Sequence, residues 1–160
     1  MSAKKISYIA ILSALAIVFG YIESLFPAAP IPGIKLGLSN IVILFAIYRL
    51  DKSSAFFIML IKVLVTSLLF SGLNVFLYSF AGGLLSLATM IAFKKLFSEI
   101  GVSMIGGVAH NLGQLLVAGL LMQTSAVFVY LPALLISGVI VGFITGNVCC
   151  IILKRNNLTI

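Results

Sequence analysis

Acidic residues are nearly missing from this chain: its 160 residues include three Asp and Glu together. Charged residues of either sign make up 8% of it, against roughly 25% in an average soluble domain. Three acids leave no paired carboxylates for acid–base work, and neither a Walker loop nor a nucleophile elbow occurs. ATP hydrolysis by this chain is thereby excluded, and neither enzymatic activity nor a cofactor is expected. Cysteine is as scarce. Cys149 and Cys150 are adjacent, cannot close a normal disulfide with one another, and show no metal-ligand spacing. One histidine falls short of the three or four ligands that zinc takes. Metal sites are not expected.

Long apolar runs fill the rest. The chain is 62% hydrophobic, and a membrane-spanning helix needs roughly 20 apolar residues. Six runs alternate with polar turns, at 6–26, 36–48, 55–70, 74–93, 102–122 and 126–153. The predicted architecture is an all-α, polytopic membrane protein with six transmembrane helices in a single domain, residues 1–160. The second run is short, and Lys62 interrupts the third. The first run continues past Gly20 into the proline-rich stretch after Leu25, longer than the core of a cleavable signal peptide, so it is expected to be a first span.

The ten cations give a net charge of +7. They sit between apolar runs instead of lining one polar face, so a nucleic-acid partner is not expected and the lipid bilayer is. Six spans place Lys4, Lys5, Arg49, Lys52, Lys94, Lys95, Lys154 and Arg155 on one side. The positive-inside rule makes that side cytoplasmic, with both termini in the cytoplasm of a cell that has a multi-pass plasma-membrane protein here. The exceptions are Lys35 and Lys62. A cation at the bilayer centre costs roughly 2.5–3.5 kcal/mol on insertion scales, so Lys62 is expected to face a partner or a cavity. Glu23 is the acid placed to meet it; an anionic ligand is the alternative. Lys35 and Asn40 lie on a segment with two prolines and two glycines, a special backbone path of the kind that binds or gates. Asn74 opens the fourth run. His110 and Gln114, four apart, share a helix face and need partners in hydrocarbon, for which Asn147 is a candidate. Ala10 and Ala14, and Gly138, Gly142 and Gly146, are small residues four apart that allow close helix approach.

Several of these segments together resemble the Gx transporter family: Ile22 to Ser24, Pro32 to Ile41, Ala81 to Ser86, and His110 to Gln114. Many members of that family carry the label heptaprenyl diphosphate synthase component I. The resemblance covers nearly the whole chain. It departs at position 39, a Ser where Ala is usual, and at 62, a Lys where Arg is expected; the second change keeps the charge and loses a bidentate guanidinium. The family in turn looks like the substrate-binding S components of energy-coupling factor (ECF) transporters. That likeness implies a six-helix bundle binding a small vitamin-like or isoprenoid- or quinone-related molecule near the outer face, driven by a transmembrane T component and two ATPase subunits. It implies that Ala10 and Ala14 dock the T component. The implied substrate-binding set is Glu23, Lys35, Asn40, Lys62, Asn74, His110 and Gln114. The synthase label implies instead an accessory membrane subunit of a prenyl synthase or of a quinone or electron-transfer assembly, since Asp51 alone cannot form an aspartate-rich Mg²⁺-diphosphate site.

Overall fold

A computed structural model describes residues 3–25, 37–70 and 72–155. Among them every regular element is helical: α1 (Ala3–Leu25), α2 (Asn40–Arg49), α3 (Lys52–Phe70), α4 (Gly72–Phe93), α5 (Glu99–Met122), a 3₁₀ segment (Ser125–Tyr130) and α6 (Leu131–Arg155). Five helical stretches are long and apolar enough to cross a membrane: Ala3–Glu23, Lys52–Leu69, Leu73–Phe93, Glu99–Met122 and Ser125–Arg155. Helices are what hydrocarbon allows, because each satisfies its backbone polar groups within its own segment.

The second span departs from expectation. Residues 37–39 form a turn, with Gly37 at φ 77°, a left-handed conformation open to glycine. Asn40 N–H then bonds Gly37 O at 2.9 Å, and the helix runs for ten residues, about 15 Å at 1.5 Å per residue. That is half of the roughly 30 Å hydrocarbon thickness. Ile41, Val42, Ile43, Leu44, Ala46 and Ile47 are all buried. A helix apolar all round belongs inside a bundle, and α2 packs against each of the other five helices. Around it α1 packs on α3, α3 on α4, α4 on α5 and α5 on α6.

Lys62 interrupts the third apolar run but not its helix: α3 is continuous from Lys52 to Phe70, since lysine is a good helix former and only its side chain must find a place. One further expectation is corrected. The last span is not one α-helix from residue 126. Gln123 ends α5 at φ 49°, Ser125–Tyr130 is 3₁₀, and α6 begins at Leu131 just before Pro132, whose missing N–H suits a first helical turn.

One end of the bundle gathers the cations, and their side chains tie helix ends together. The Arg49 guanidinium donates to Leu153 O at the end of α6. Lys94 Nζ donates to Ile47 O at the end of α2, at 3.1 Å. These are C-terminal carbonyls that lack partners in their own helices and carry the negative end of the macrodipole. Lys5 pairs with Asp51 at 2.5 Å, joining α1 to the turn before α3. Asp51 also caps α3, accepting from Ser54 N–H at 2.9 Å and Ser54 O–H at 3.1 Å. The Lys5 hydrogen bond first, and then the Ser54 N–H, hold the Asp51 carboxyl below the usual carboxylate range.

Glycines set the approach of α5 and α6, as the four-residue spacing predicts. A Cβ at Gly107 would stand 2.5 Å from Gly138 O, and one at Gly142 would stand 2.6 Å from Met104 Cα. Both neighbours are backbone, so relief requires moving a helix. Gly142→Leu should lower stability by about 1–3 kcal/mol, the usual cost of overpacking. Leu at the nearby lipid-side Ile140, 54% exposed, should be silent. Reversible unfolding in mixed micelles measures both, and equal midpoints would show the crossing to be loose.

Candidate ligand-binding site

Lys62 and Glu23 come to the same part of the bundle, where α1, α2 and α3 meet. They are 5% and 3% exposed. By helical rise both Lys62 and the start of α2 stand about 15 Å along their helices from the cation-rich end, near mid-depth. Lys62 lies along Gly20 of α1, whose Cβ position is 3.7 Å from Lys62 Cε. Gly20 precedes Glu23 by three residues, hence on the same helix face, and its bare backbone is what lets the lysine stem lie there. Thr66 packs over the same glycine, a Cβ there being 2.9 Å from Thr66 Cγ2. Its hydroxyl is turned back to Lys62 O at 2.8 Å.

Glu23 is held from the side of α2. Its Oε1 accepts Ser39 N–H at 3.2 Å and its Oε2 accepts the Ser39 hydroxyl at 3.4 Å. Ser39 precedes the first residue of α2, so the carboxylate sits near the positive pole of that helix, whose own first N–H groups bond the carbonyls of Gly37, Leu38 and Ser39. Lys62 has no such partner. Glu23 acts on it electrostatically, but the two form no direct ion pair, and no acceptor among the described residues hydrogen-bonds Lys62 Nζ. Asn40, half-buried, follows Ser39 and adds an amide at the same level.

Other expected site residues fall elsewhere. His110 and Gln114 are buried on α5 against α4, where a Cβ at Gly82 would meet His110 O at 2.7 Å and Gln114 Cγ at 2.8 Å. Their side chains bond each other, Nε2 to Nε2, at 3.1 Å. Asn147 is not their partner: it donates to Phe143 O of its own helix at 2.7 Å. Asn111 does bridge α5 to α6, donating to Leu134 O at 2.8 Å and Ser137 Oγ at 3.2 Å. Asn74 is exposed in the first turn of α4 and joins neither group. Lys35 lies outside the described residues. The face of α3 toward α4 borders an apolar cavity of about 240 Å³, lined by Leu64, Ser67, Leu68, Leu73 and Phe76. Among the described residues no group of three or more His, Cys, Asp and Glu side chains is placed to hold a metal.

The chain matches the family described as heptaprenyl diphosphate synthase component I over residues 12–151. It belongs to that family. No curated protein and no solved structure is matched by the chain. The match takes in α2 to α5 whole, with most of α1 and α6, and so includes Glu23, Ser39 and Lys62.

Sequence reasoning missed Ser39, Gly20 and Thr66. The serine had left a trace, as the residue standing where alanine is usual. Gly20 and Thr66 are ordinary within spans and carry none.

A double-mutant cycle tests whether the two buried charges act as a unit. Glu23→Gln and Lys62→Met each leave one buried charge less compensated, and each should destabilise. The double variant should be about as stable as the parent, because neutral replacement of both buried charges is often neutral or stabilising. A coupling on the order of 1–3 kcal/mol is expected from unfolding in mixed micelles. Additive effects would mean that Lys62 and Glu23 are energetically separate.

Proposed function

We propose that this protein is the membrane-embedded substrate-binding subunit of an ECF-type importer. Its ligand is a small vitamin-like or isoprenoid- or quinone-related molecule. The observation that carries the proposal is Lys62: a buried ammonium at mid-depth with no hydrogen-bond acceptor among the described residues. A charge in that position is costly unless it is compensated, and a bound acceptor would compensate it. Glu23 is brought to the same part of the bundle, three residues after the glycine along which the lysine stem lies. Intramembrane ionisable residues of this kind mark ligand pathways in membrane proteins. A half-length helix whose N-terminus meets a polar group near the midplane is a recurring transporter feature.

The topology of the proposal is six passes. α2 counts as one of them, and the cation-rich end with both termini faces the cytoplasm of the plasma membrane. The cations gathered at one end support that orientation. Energy comes from partners, a T component and two ATPase subunits, for which α1 offers a docking face. Ala3, Ser7, Ala10 and Ala14 recur at helical spacing and are all exposed, leaving room for a close helix approach. The family description favours a second reading, an accessory membrane subunit of a heptaprenyl diphosphate synthase, and the partner recovered from membranes decides between them.

Lys62→Ala should abolish uptake, and the small molecule found by mass spectrometry in detergent-purified parent protein should be lost from the variant. Uptake unchanged in that variant removes Lys62 from the binding role. Replacing Ala10 and Ala14 by Leu should leave the bundle folded and ligand-loaded while a tagged T component and its ATPases no longer co-purify. Capture of a prenyl synthase in their place would establish the second reading.

A further inference from the structure

Where α1, α2 and α3 meet, Glu23 offers acceptors and Lys62 offers donors. Each Glu23 oxygen accepts one hydrogen bond from Ser39 and keeps capacity for another. Lys62 carries three N–H donors, none used by the described residues. The two side chains form no direct ion pair and are 3% and 5% exposed, and Lys62 Cε lies 3.7 Å from the Cβ position of Gly20, three residues before Glu23 on the same helix face. A separation of that kind is filled by a bridging polar group, a water where nothing else binds.

The charges on the two side chains sum to zero. A phosphate monoester brings about −1.5 to −2 charges, a diphosphate more. Either would set its charge against Glu23 where low dielectric strengthens repulsion, with one cation supplied by the described residues. A neutral group that points an N–H or O–H at Glu23 and a C=O at Lys62 satisfies both side chains and adds no charge.

Resting on the binding role proposed for this site, we infer that Glu23 and Lys62 together hold a neutral donor–acceptor edge. The ligand is a small molecule with an amide, imide or hydroxy-carbonyl group, and the site rejects phosphate and diphosphate heads. The specificity lies in Glu23: for an anionic ligand it is an obstacle, for a donor–acceptor edge it is half of the recognition.

The sign of the Glu23→Gln effect decides the matter. Small molecules retained by the detergent-purified parent, Glu23→Gln and Lys62→Met proteins are extracted and measured by mass spectrometry. Two probes, glutarimide and inorganic pyrophosphate at millimolar concentration, are compared for their ability to raise the thermal unfolding midpoint of the parent. The expected results are a retained molecule without phosphate, a loss of retention of about tenfold or more in each variant, as for a hydrogen bond to a charged group, and protection by glutarimide but not pyrophosphate. A phosphorylated molecule, tighter retention in Glu23→Gln, or protection by pyrophosphate overturns the inference and leaves the binding role standing. A parent protein that retains no small molecule and is protected by neither probe overturns the binding role itself. The probe comparison needs no variant, so it decides even where Glu23→Gln does not fold.

Discussion

Hydrocarbon offers no hydrogen bonds, so every polar group this chain carries into it must be met from within the protein or by something the protein binds. The backbone meets the demand by being helical throughout the described spans. Helix ends are the weak points, and the Arg49 and Lys94 side chains answer two of them by reaching the last carbonyls of α6 and α2. The cations that orient a membrane protein by charge thus also close its helix termini. Asn111 answers its own need on the backbone of α6, and Thr145 pairs with Ser103 across the same interface at 2.9 Å. Once these are accounted for, Lys62 stands out as the charge whose needs are met at a distance.

The shortness of α2 follows from the same constraint and produces the site. An all-apolar helix needs no particular face and can occupy the centre of the bundle, packed by the other five. It begins about halfway across, and the turn before it supplies carbonyls for its first N–H groups, which leaves the Ser39 N–H to be met inside the protein. Glu23 accepts it. The carboxylate then requires a cation, and α3 supplies Lys62 at a matching depth over the one α1 position, Gly20, that leaves room for its stem. Structural necessity accounts for Glu23 and Ser39 completely. It accounts for Lys62 only through the field of Glu23, and the unused ammonium donors are the remainder that a ligand would take up.

Much of this was legible in the sequence, and for a simple reason: charges in apolar runs stand out. Glu23 and Lys62 could be marked as partners without coordinates, and so could the cation-rich end. Faces could not. In a soluble helix the polar side announces itself by periodicity, but lipid and protein interior are both apolar, so nothing in 36–48 showed that residues 37–39 turn and that only Asn40–Arg49 is helical. For the same reason His110 and Gln114 were grouped with Lys62, when α5 turns them toward α4 and toward each other. The glycine spacing was more informative than hydropathy, since a missing Cβ has meaning only at a close crossing, and Gly138, Gly142 and Gly146 all lie at one.

The two positions where this chain departs from the residues usual in its likeness, 39 and 62, both act on Glu23. An alanine at 39 would keep the backbone N–H and remove the hydroxyl that reaches Oε2. An arginine at 62 would bring five N–H donors in a rigid fork, suited to gripping a carboxylate with two parallel bonds. Serine with lysine distributes the same task differently: the serine supplies the second donor to Glu23 at short range, and the lysine, a compact charge with three rotatable donors, is released from direct contact. An arginine fork on Glu23 would spend its donors within the protein. The serine–lysine arrangement leaves Glu23 held in place and the cation free to turn its N–H groups to an acceptor from outside, so the exchange changes what the site can offer a ligand while keeping its charge unchanged.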